Sequence, residues 1–411
     1  MTDFPCKRLS QLRTGSDIVC LSAAVSPGSH CPLFGVVMSA PFIRDLTVLV
    51  IGEAECCWNA YHHHRTISGA PDNFFTYSMD DLDTVYGAGE GIVRAVQTLY
   101  ARHPAQAVML VSSCIPELTG EDLEAIAADC RLPVPVLTAH TSHYNSTGYY
   151  TGISHFYSGL LPLVEKNIPK SSSVAILGAR YPGLENGEIP AALRQAGFSV
   201  SVPGSVREIA ALSGCAMTLV ADVTALPLAQ ALEREVQVPF VRIDHLLCPD
   251  RFLDACRRID QLLGTSLTPA AEKQACSLEN RMEQLRQRWS GKQFVAAVPF
   301  CLPFEVCRFF TKLGMTPLWL AARDLYPGDR ELIDGLVRQG IDCPVFSFAS
   351  LHRGLALTAG LRPALAFGFF PPDRLDTTVI NPAPCTAMSG FSFPDWVLGR
   401  LEAAEGGSYG T

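Results

Sequence analysis

The sequence predicts an α/β protein of three Rossmann-like domains, in which parallel sheets are flanked by helices. Short apolar runs typical of buried parallel strands alternate along the chain with segments of helical character. That alternation is the pattern of successive βαβ units. The runs lie at 46–52, 107–113, 173–178, 217–222, 294–300 and 364–369, and the helical segments include 87–103, 120–130, 188–197 and 227–236.

Two polar segments divide this pattern into domains. A Pro- and Ser-containing stretch at 164–173 and a long charged helical stretch at 269–292 each precede a new strand. At 411 residues the chain is also too long for one ordinary domain. The predicted organisation is therefore a first domain at 1–168, a second at 169–290, a third at 291–400 and a disordered tail at 401–411.

Composition excludes several classes of protein. The net charge is −8, with 48% hydrophobic and 18% charged residues, so a large core is expected and a nucleic-acid-binding surface is not. No apolar run reaches the roughly 18 residues that a membrane-spanning helix needs. The first residues lack the apolar segment of a signal peptide. We expect a cytoplasmic protein that binds neither nucleic acid nor membrane.

Cysteine usage points to metal or redox chemistry. The chain has 15 cysteines, and in the cytoplasm these are not expected to form disulfides. Most should be buried thiols, but Cys56 and Cys114 lie just beyond two predicted strands and Cys31 lies in a loop. We expect these three at one edge of one domain, where doubly wound sheets bind ligands. Thiolates at such a position bind iron–sulfur clusters or zinc.

The spacing of these cysteines is not a signature by itself. They lie 25 and 58 residues apart, and no CxxC pair accompanies them. Spacing alone therefore favours three incidental cysteines. Cys57, directly after Cys56, leaves the middle position ambiguous.

Histidines supply two further candidates. Residues 62–64 are three consecutive histidines, but successive helix residues point about 100° apart and cannot all face one ion. We interpret them as a helix surface with one imidazole facing inward. His140, His143 and Tyr144 follow a short apolar stretch and form either a polar loop that satisfies its own backbone or part of a substrate cavity that supplies protons.

Four motifs in order carry a family resemblance. They are CPLFG (31–35), GEAEC (52–56), DTVYGAGEGI (83–92) and SSCIPELTGEDL (112–123). Together they resemble the nitrogenase component 1 superfamily, and the similarity runs nearly the whole length. That superfamily includes nitrogenase molybdenum–iron protein subunits, their cofactor-assembly relatives, dark-operative protochlorophyllide reductase, nickel-sirohydrochlorin reductive cyclase and methylthio-alkane reductase.

The resemblance implies a cofactor and partners. Cys31, Cys56 and Cys114 match the cysteines that bind an iron–sulfur cluster between two subunits, with Cys57 as the alternative to Cys56. The cluster would be a [4Fe–4S] or a P-cluster-like [8Fe–7S] group, and the assembly a homodimer or a heterodimer with a homologous subunit. No GxxxxGK[ST] motif is present, so ATP hydrolysis would belong to a separate iron-protein ATPase that delivers electrons.

The sequence departs from catalytic nitrogenase subunits at the active-site cofactor. Ala221 or Asp222 stands where the family has a cofactor-binding cysteine, and Ser389 stands where it has a histidine. We therefore expect no molybdenum–iron cofactor, and Ser389 joins the candidates for a substrate cavity. The predicted function is a nitrogenase-like reductase subunit acting on a small organic or tetrapyrrole-type substrate, not dinitrogen.

Two other functions remain open. The same departures fit a non-catalytic scaffold on which a metallocluster or tetrapyrrole cofactor is assembled. A cluster-free α/β binding protein that kept the fold is the third interpretation.

Overall fold

The computed structural model describes most of the chain. The described residues are 6–20, 31–144, 148–178, 184–244, 247–297, 303–347, 356, 358–371, 375–382 and 390–404.

Strands and helices alternate along these residues. The strands are β1 (Lys7–Arg8), β2 (Leu46–Gly52), β3 (Phe74–Ser78), β4 (Ala107–Ser112), β5 (Val136–His140), β6 (Ser173–Leu177), β7 (Ser199–Ser201), β8 (Met217–Val220), β9 (Phe240–Arg242), β10 (Gln293–Ala297), β11 (Thr316–Ala321), β12 (Pro344–Phe346), β13 (Leu365–Gly368) and β14 (Thr378–Ile380). The α-helices are α1 (Pro32–Ser39), α2 (Ala54–Thr66), α3 (Asp81–Tyr86), α4 (Gly89–Arg102), α5 (Cys114–Thr119), α6 (Leu123–Asp129), α7 (Tyr149–Gly159), α8 (Glu188–Gln195), α9 (Val206–Ala210), α10 (Leu226–Val236), α11 (Pro249–Leu263), α12 (Thr268–Trp289), α13 (Pro303–Lys312), α14 (Asp329–Arg338) and α15 (Ser392–Ala403). Short 3-10 helices span Leu9–Gln11, Gly15–Asp17, Ala40–Phe42, Leu161–Leu163, Leu184–Asn186, Ala211–Gly214 and Val223–Ala225.

The strands form three sheets, with the orders β3-β2-β4-β5, β7-β6-β8-β9 and β1-β12-β11-β10-β13-β14. Neighbouring strands pair in parallel wherever their register is defined, except that β1 pairs with β12 in antiparallel fashion. The predicted α/β class with parallel sheets and flanking helices is confirmed.

The chain is organised as two compact units. The first, here called the cysteine unit, comprises Ser26–Arg180 and Phe198–Phe240. The second unit comprises Met1–Val25, Tyr181–Gly197 and Val241–Thr411. The chain has three sheets but two compact units. The division into three domains therefore stays a prediction.

The sheet β3-β2-β4-β5 is the centre of the cysteine unit. Every residue of β2 and of β4 is buried, as expected for parallel strands that helices cover on both faces. Their pairing sets Ile51 opposite Ser112, and the pairing of β4 with β5 sets Ser112 opposite His140. These strands therefore end together, and the segments that follow them begin at one edge of the sheet.

Helices α1 and α7 make a close contact in the same unit. Pro32 is the first residue of α1. The N–H group at this position has no acceptor within a helix, so proline, which lacks the N–H, costs no hydrogen bond there. A Cβ atom added at Gly152, within α7, would lie 1.7 Å from the Pro32 carbonyl oxygen. Only glycine allows this approach, so Gly152 fixes α1 and the residue before it, Cys31, against α7.

The long charged segment predicted to be helical forms α12. The buried residues recur at the helical spacing of one face: Ala271, Ala275, Leu278, Met282, Leu285 and Trp289. The remaining face is polar. Across the described part of the chain, no helix is both long enough and apolar enough to cross a membrane.

The C-terminal residues correct one prediction. Helix α15 continues to Ala403, and Leu398 and Leu401 are fully buried. Residues 401–403 of the segment predicted to be a disordered tail are therefore helical, because leucines at a three-residue spacing give the last turn an apolar face. Residues 405–411 of that segment lie outside the described residues.

A buried charge cluster lies beyond β9 and β11 in the second unit. The guanidinium of Arg242 binds the carboxylate of Asp244 at 2.7 Å and donates to the Pro327 carbonyl oxygen at 2.9 Å. Asp329, at the start of α14, is 1% exposed. Burial is the main cause that raises the pKa of Asp329 to about 7; the charges of Glu305 and Asp244 add to the rise, and the Tyr326 N–H and Arg242 oppose it.

We predict that Gly152→Ala destabilises the protein by about 1–3 kcal/mol, the usual range for overpacking a well-packed contact. The added methyl group would overlap the Pro32 carbonyl oxygen, which belongs to the backbone and cannot turn aside. Urea unfolding measures the difference. Gly335→Ala, a helical glycine with open space around its Cβ position, is the control and should be neutral or slightly stabilising. Equal stability of the two variants would contradict the packing account.

We predict that Asp329→Asn is stabilising at pH 8 and nearly neutral at pH 4. The folded-state pKa lies above the value of the unfolded chain, so the native protein holds a proton that the unfolded chain releases, and the unfolding free energy falls as pH rises through this window. Each pKa unit corresponds to about 1.4 kcal/mol, so the difference amounts to a few kcal/mol. Thermal unfolding from pH 4 to 8 measures it, and a pH-independent difference between variant and wild type would disprove the assignment.

Candidate functional site

The three cysteines singled out by the sequence all lie at the beginnings of helices. Cys31 is the N-cap of α1, Cys56 is in the first turn of α2, and Cys114 is the first residue of α5. The prediction had placed them on loops. The difference arises because each connection is very short, so that the helix begins at or near the cysteine.

The pKa values of Cys31 and Cys56 depend in part on the charges of neighbouring thiols. Burial is the largest effect on Cys31 and raises its pKa, N–H groups of Leu33 and Phe34 oppose the rise, and the charge of Cys114 adds to it. The pKa of Cys56 is raised to about 12, mainly by burial. Glu53 contributes the next largest rise, and the charges of Cys31 and Cys114 contribute the smallest. The charge of Cys114 therefore acts on both Cys31 and Cys56, and a cation bound beside these thiols would favour their thiolate forms.

The donor atoms of Cys31, Cys56 and Cys114 limit which groups they could hold. Thiolate sulfur is a soft ligand, and cysteines are the usual ligands of iron–sulfur clusters and of structural zinc. Among the described residues, no group of three His, Cys, Asp or Glu side chains is placed to hold a metal ion.

Cys57 occupies a different environment from Cys56. Its side chain is 3% exposed, and its Sγ contacts the carbonyl oxygens of Tyr77 at 3.3 Å and Gly52 at 3.5 Å. Burial raises its pKa to about 12. Cys57 thus packs beneath the ends of β2 and β3, whereas the half-buried Cys56 has its Sγ 3.4 Å from Glu53 Oε1.

The end of β2 approaches the start of α5 closely. A Cβ atom added at Gly52 would lie 2.1 Å from the Ser113 Oγ and 3.9 Å from the Cβ of Cys56. The Ser113 N–H also donates to the Ile51 carbonyl oxygen at 2.8 Å. Gly52 therefore brings the Cys56 segment and the Cys114 segment together.

The three consecutive histidines lie on α2 and point in different directions. His64 is 2% exposed and stacks on Phe74 with a centroid distance of 4.5 Å, and burial lowers its pKa. His62 stacks on Trp58, and His63 contacts Phe34 edge to face. These positions agree with the prediction of a helix surface with one inward imidazole.

The other predicted residues lie beside Cys114 or outside the described residues. His140 ends β5, and its Nε2 is 3.0 Å from Glu124 Oε1. His143 directs its backbone N–H to the Cys114 Sγ at 3.4 Å, and the following Tyr144 is exposed. Ser389, predicted to line a cavity, lies outside the residues that the structure describes.

The two acidic residues Glu117 and Asp122, which follow Cys114, have different roles. In the structure Thr119 ends α5, and Asp122 alone caps α6 by accepting the Ala125 N–H at 2.9 Å. Glu117 instead accepts hydrogen bonds from the segment that follows β5, a long-range contact that no local sequence signal indicates.

Exposed apolar side chains occur on the elements that carry the cysteines. Trp58 and Tyr61 lie on α2 with Cys56, and Leu118 lies on α5 with Cys114. Where such side chains form a contiguous patch, the patch marks a surface that a partner covers. Among the described residues they are Met38, Phe42, Trp58, Tyr61, Leu82, Val85, Tyr86, Leu118 and Tyr144, all in the cysteine unit.

Curated relatives share parts or most of this sequence. The nitrogenase iron-molybdenum cofactor biosynthesis protein NifE of Sinorhizobium fredii (strain NBRC 101917 / NGR234) is 23% identical over 375 residues, which cover 83% of this chain and 75% of the relative. NifE of Rippkaea orientalis (strain PCC 8801 / RF-1) is 28% identical over 122 residues, 28% of this chain and 26% of the relative. The match to that second relative thus spans about a quarter of its length.

Structural and family comparisons agree with the motif resemblance. The solved structure titled "Nitrogenase Cp1 at pH 6.5" superposes with a TM-score of 0.74 at 16% identity, covering 93% of each chain, which shows a shared fold. The family profile described as nitrogenase component 1 type oxidoreductase matches residues 31–375. With a match over most of its length, the chain belongs to the nitrogenase component 1 type oxidoreductases.

Proposed function

We propose that this chain is the cluster-carrying subunit of a nitrogenase-like reductase. It would receive electrons from an ATP-hydrolysing iron protein and reduce a small organic or tetrapyrrole-type substrate, not dinitrogen. The observation that carries this proposal is the set of three coupled thiols, Cys31, Cys56 and Cys114, at helix starts on one edge of a parallel sheet. Family membership supports the oxidoreductase class.

The number of thiols argues for a second subunit. Three thiolates leave a four-iron cluster one ligand short, and a larger cluster needs more. Exposed apolar side chains on α2 and α5 support a partner at the same edge. We propose a homologous subunit there, either a second copy of this chain or a sister chain, so that the two halves complete a [4Fe–4S] or [8Fe–7S] group.

Each residue of the site has a role in this proposal. Cys31, Cys56 and Cys114 would hold the cluster, which when bound supplies one-electron redox chemistry. All three thiols are half-buried, which limits their contact with water, and the N–H of His143 donates to the Cys114 sulfur. Cys57 is a buried residue whose Sγ contacts the Tyr77 carbonyl oxygen, and it is not proposed as a ligand.

The departures from catalytic nitrogenase subunits support a substrate other than dinitrogen. Asp222, at one of the two departure positions, caps a 3-10 helix by accepting the Thr224 N–H at 2.9 Å and its hydroxyl at 2.5 Å. A carboxylate engaged in this way is a poor replacement for a thiolate cofactor ligand. We therefore propose that no molybdenum–iron cofactor is bound in the nitrogenase manner.

A scaffold for cofactor assembly is the second candidate function. The curated relatives reported above are cofactor biosynthesis proteins by name, and one of them matches this chain over 83% of its length. A scaffold needs the same thiols to hold a cluster but does not need turnover. The two functions therefore differ in kinetics rather than in the cluster site.

We predict that Cys31→Ala, Cys56→Ala and Cys114→Ala each reduce bound iron to roughly a tenth or less, since each removes a thiolate that the site needs. The measurement is iron and sulfide content with EPR after anaerobic reconstitution. Cys57→Ala and Cys130→Ala, which remove buried thiols of the same unit, are the controls and should retain the iron. Iron retention in Cys56→Ala with loss in Cys57→Ala would overturn the choice between the two neighbours.

Turnover distinguishes the two functions. With the iron protein, ATP and an organic or tetrapyrrole substrate, we predict substrate-dependent product formation that Cys114→Ala abolishes. A scaffold would instead show no turnover and would pass its bound cofactor to an acceptor protein. Absence of turnover together with such transfer would reject the reductase proposal in favour of the scaffold.

A further inference from the structure

We propose that Glu117 is a positioning residue that holds the backbone N–H of His143 on the sulfur of Cys114. In doing so it would raise the reduction potential of the cluster bound there. This second part rests on the proposed function, whereas the positioning role concerns the protein alone.

Three consecutive backbone N–H groups connect the segment after β5 to the end of β4 and to α5. Because the bonds are consecutive, fixing one of them fixes the direction of the next. The pairs are the Thr141 N–H with the Ser112 carbonyl oxygen (3.2 Å), the Ser142 N–H with Glu117 Oε1 (2.9 Å) and the His143 N–H with Cys114 Sγ (3.4 Å).

Glu117 is the central acceptor of this series. Its side chain is 12% exposed, and the same oxygen, Oε1, also accepts the hydroxyl of Ser112 at 2.6 Å. Burial would raise the pKa of Glu117, but hydrogen bonds from Ser112 and Ser142 lower it, and the net shift is downward. The side chain is therefore a charged acceptor at neutral pH, which makes its bond to the Ser142 N–H stronger than a neutral one.

His140 lies between the carboxylates of Glu117 and Glu124. Its Nδ1 is 3.9 Å from Glu117 Oε1 and 3.5 Å from the Ser112 hydroxyl, and its Nε2 is 3.0 Å from Glu124 Oε1. Glu124 is the exposed end of the group, with 62% of its side chain accessible. The carboxylate of Glu117 is thus held between the histidine and the 141–143 backbone.

The Cys114 end of the series is where this arrangement affects redox chemistry. A hydrogen bond to a coordinating sulfur withdraws charge from it, which stabilises the reduced, more negative state of a cluster. Without the bond from His143, the reduction potential should move to a more negative value. Glu117 does not contact the sulfur itself in this account; it acts through the backbone of the neighbouring residue.

The test compares Glu117→Ala, Glu117→Gln and Glu90→Gln in the full chain. Glu90, an exposed carboxylate on α4, is the matched control. In the metal-free protein, amide hydrogen exchange at Ser142 and His143 should be about tenfold faster in Glu117→Ala, the loss expected for a hydrogen bond to a charged acceptor. Glu117→Gln keeps the shape and an acceptor oxygen and should lie between Glu117→Ala and wild type.

After reconstitution, the second measurement is the midpoint potential of the cluster by EPR-monitored titration. We expect equal iron content in all variants and a more negative potential in Glu117→Ala than in Glu90→Gln. Unchanged amide exchange would overturn the positioning role, and faster exchange with an unchanged potential would overturn the redox role. A chain that binds no iron in any variant yet shows faster exchange would support the positioning role and reject the proposed cluster.

Discussion

The parallel pairing of β2, β4 and β5 is the constraint on which the candidate site depends. It aligns the carboxyl ends of the strands, so that the segments carrying Cys56, Cys114 and the 141–143 backbone begin at one edge. Gly52 allows two of these segments to touch. Burial is the main cause that raises the pKa of Cys56, and the charges of Glu53, Cys31 and Cys114 add to it. A positively charged group bound beside Cys56 would favour its thiolate form, which links the fold to metal binding.

Much of this arrangement could be predicted from the sequence. Apolar runs such as 46–52 locate buried strands because parallel strands covered on both faces need no polar residues. A cysteine directly after such a run must lie at the ligand-binding edge. The choice of Cys56 over Cys57 as a ligand, made from the family motif, stays a prediction; the structure shows that these successive helix residues point in different directions, with Cys57 buried and Cys56 half-buried.

The rest depends on contacts between distant residues. Glu117 resembles an ordinary helix-start carboxylate in sequence, and its bond to Ser142 exists only because β4 and β5 are neighbours. Gly120, in a left-handed conformation, ends α5 and leaves Asp122 to cap α6. Which of the three histidines on α2 turns inward was also undetermined, because the answer requires the position of Phe74 on β3.

Iron and acid-labile sulfide content of the full chain, purified anaerobically and reconstituted, is the most direct test of the account. If Cys31, Cys56 and Cys114 hold an iron–sulfur cluster, the chain should bind iron and sulfide together in nearly equal amounts, with an EPR signal after reduction. A protein that contains only zinc, or no metal at all, after reconstitution would contradict the central claim that Cys31, Cys56 and Cys114 form an iron–sulfur site.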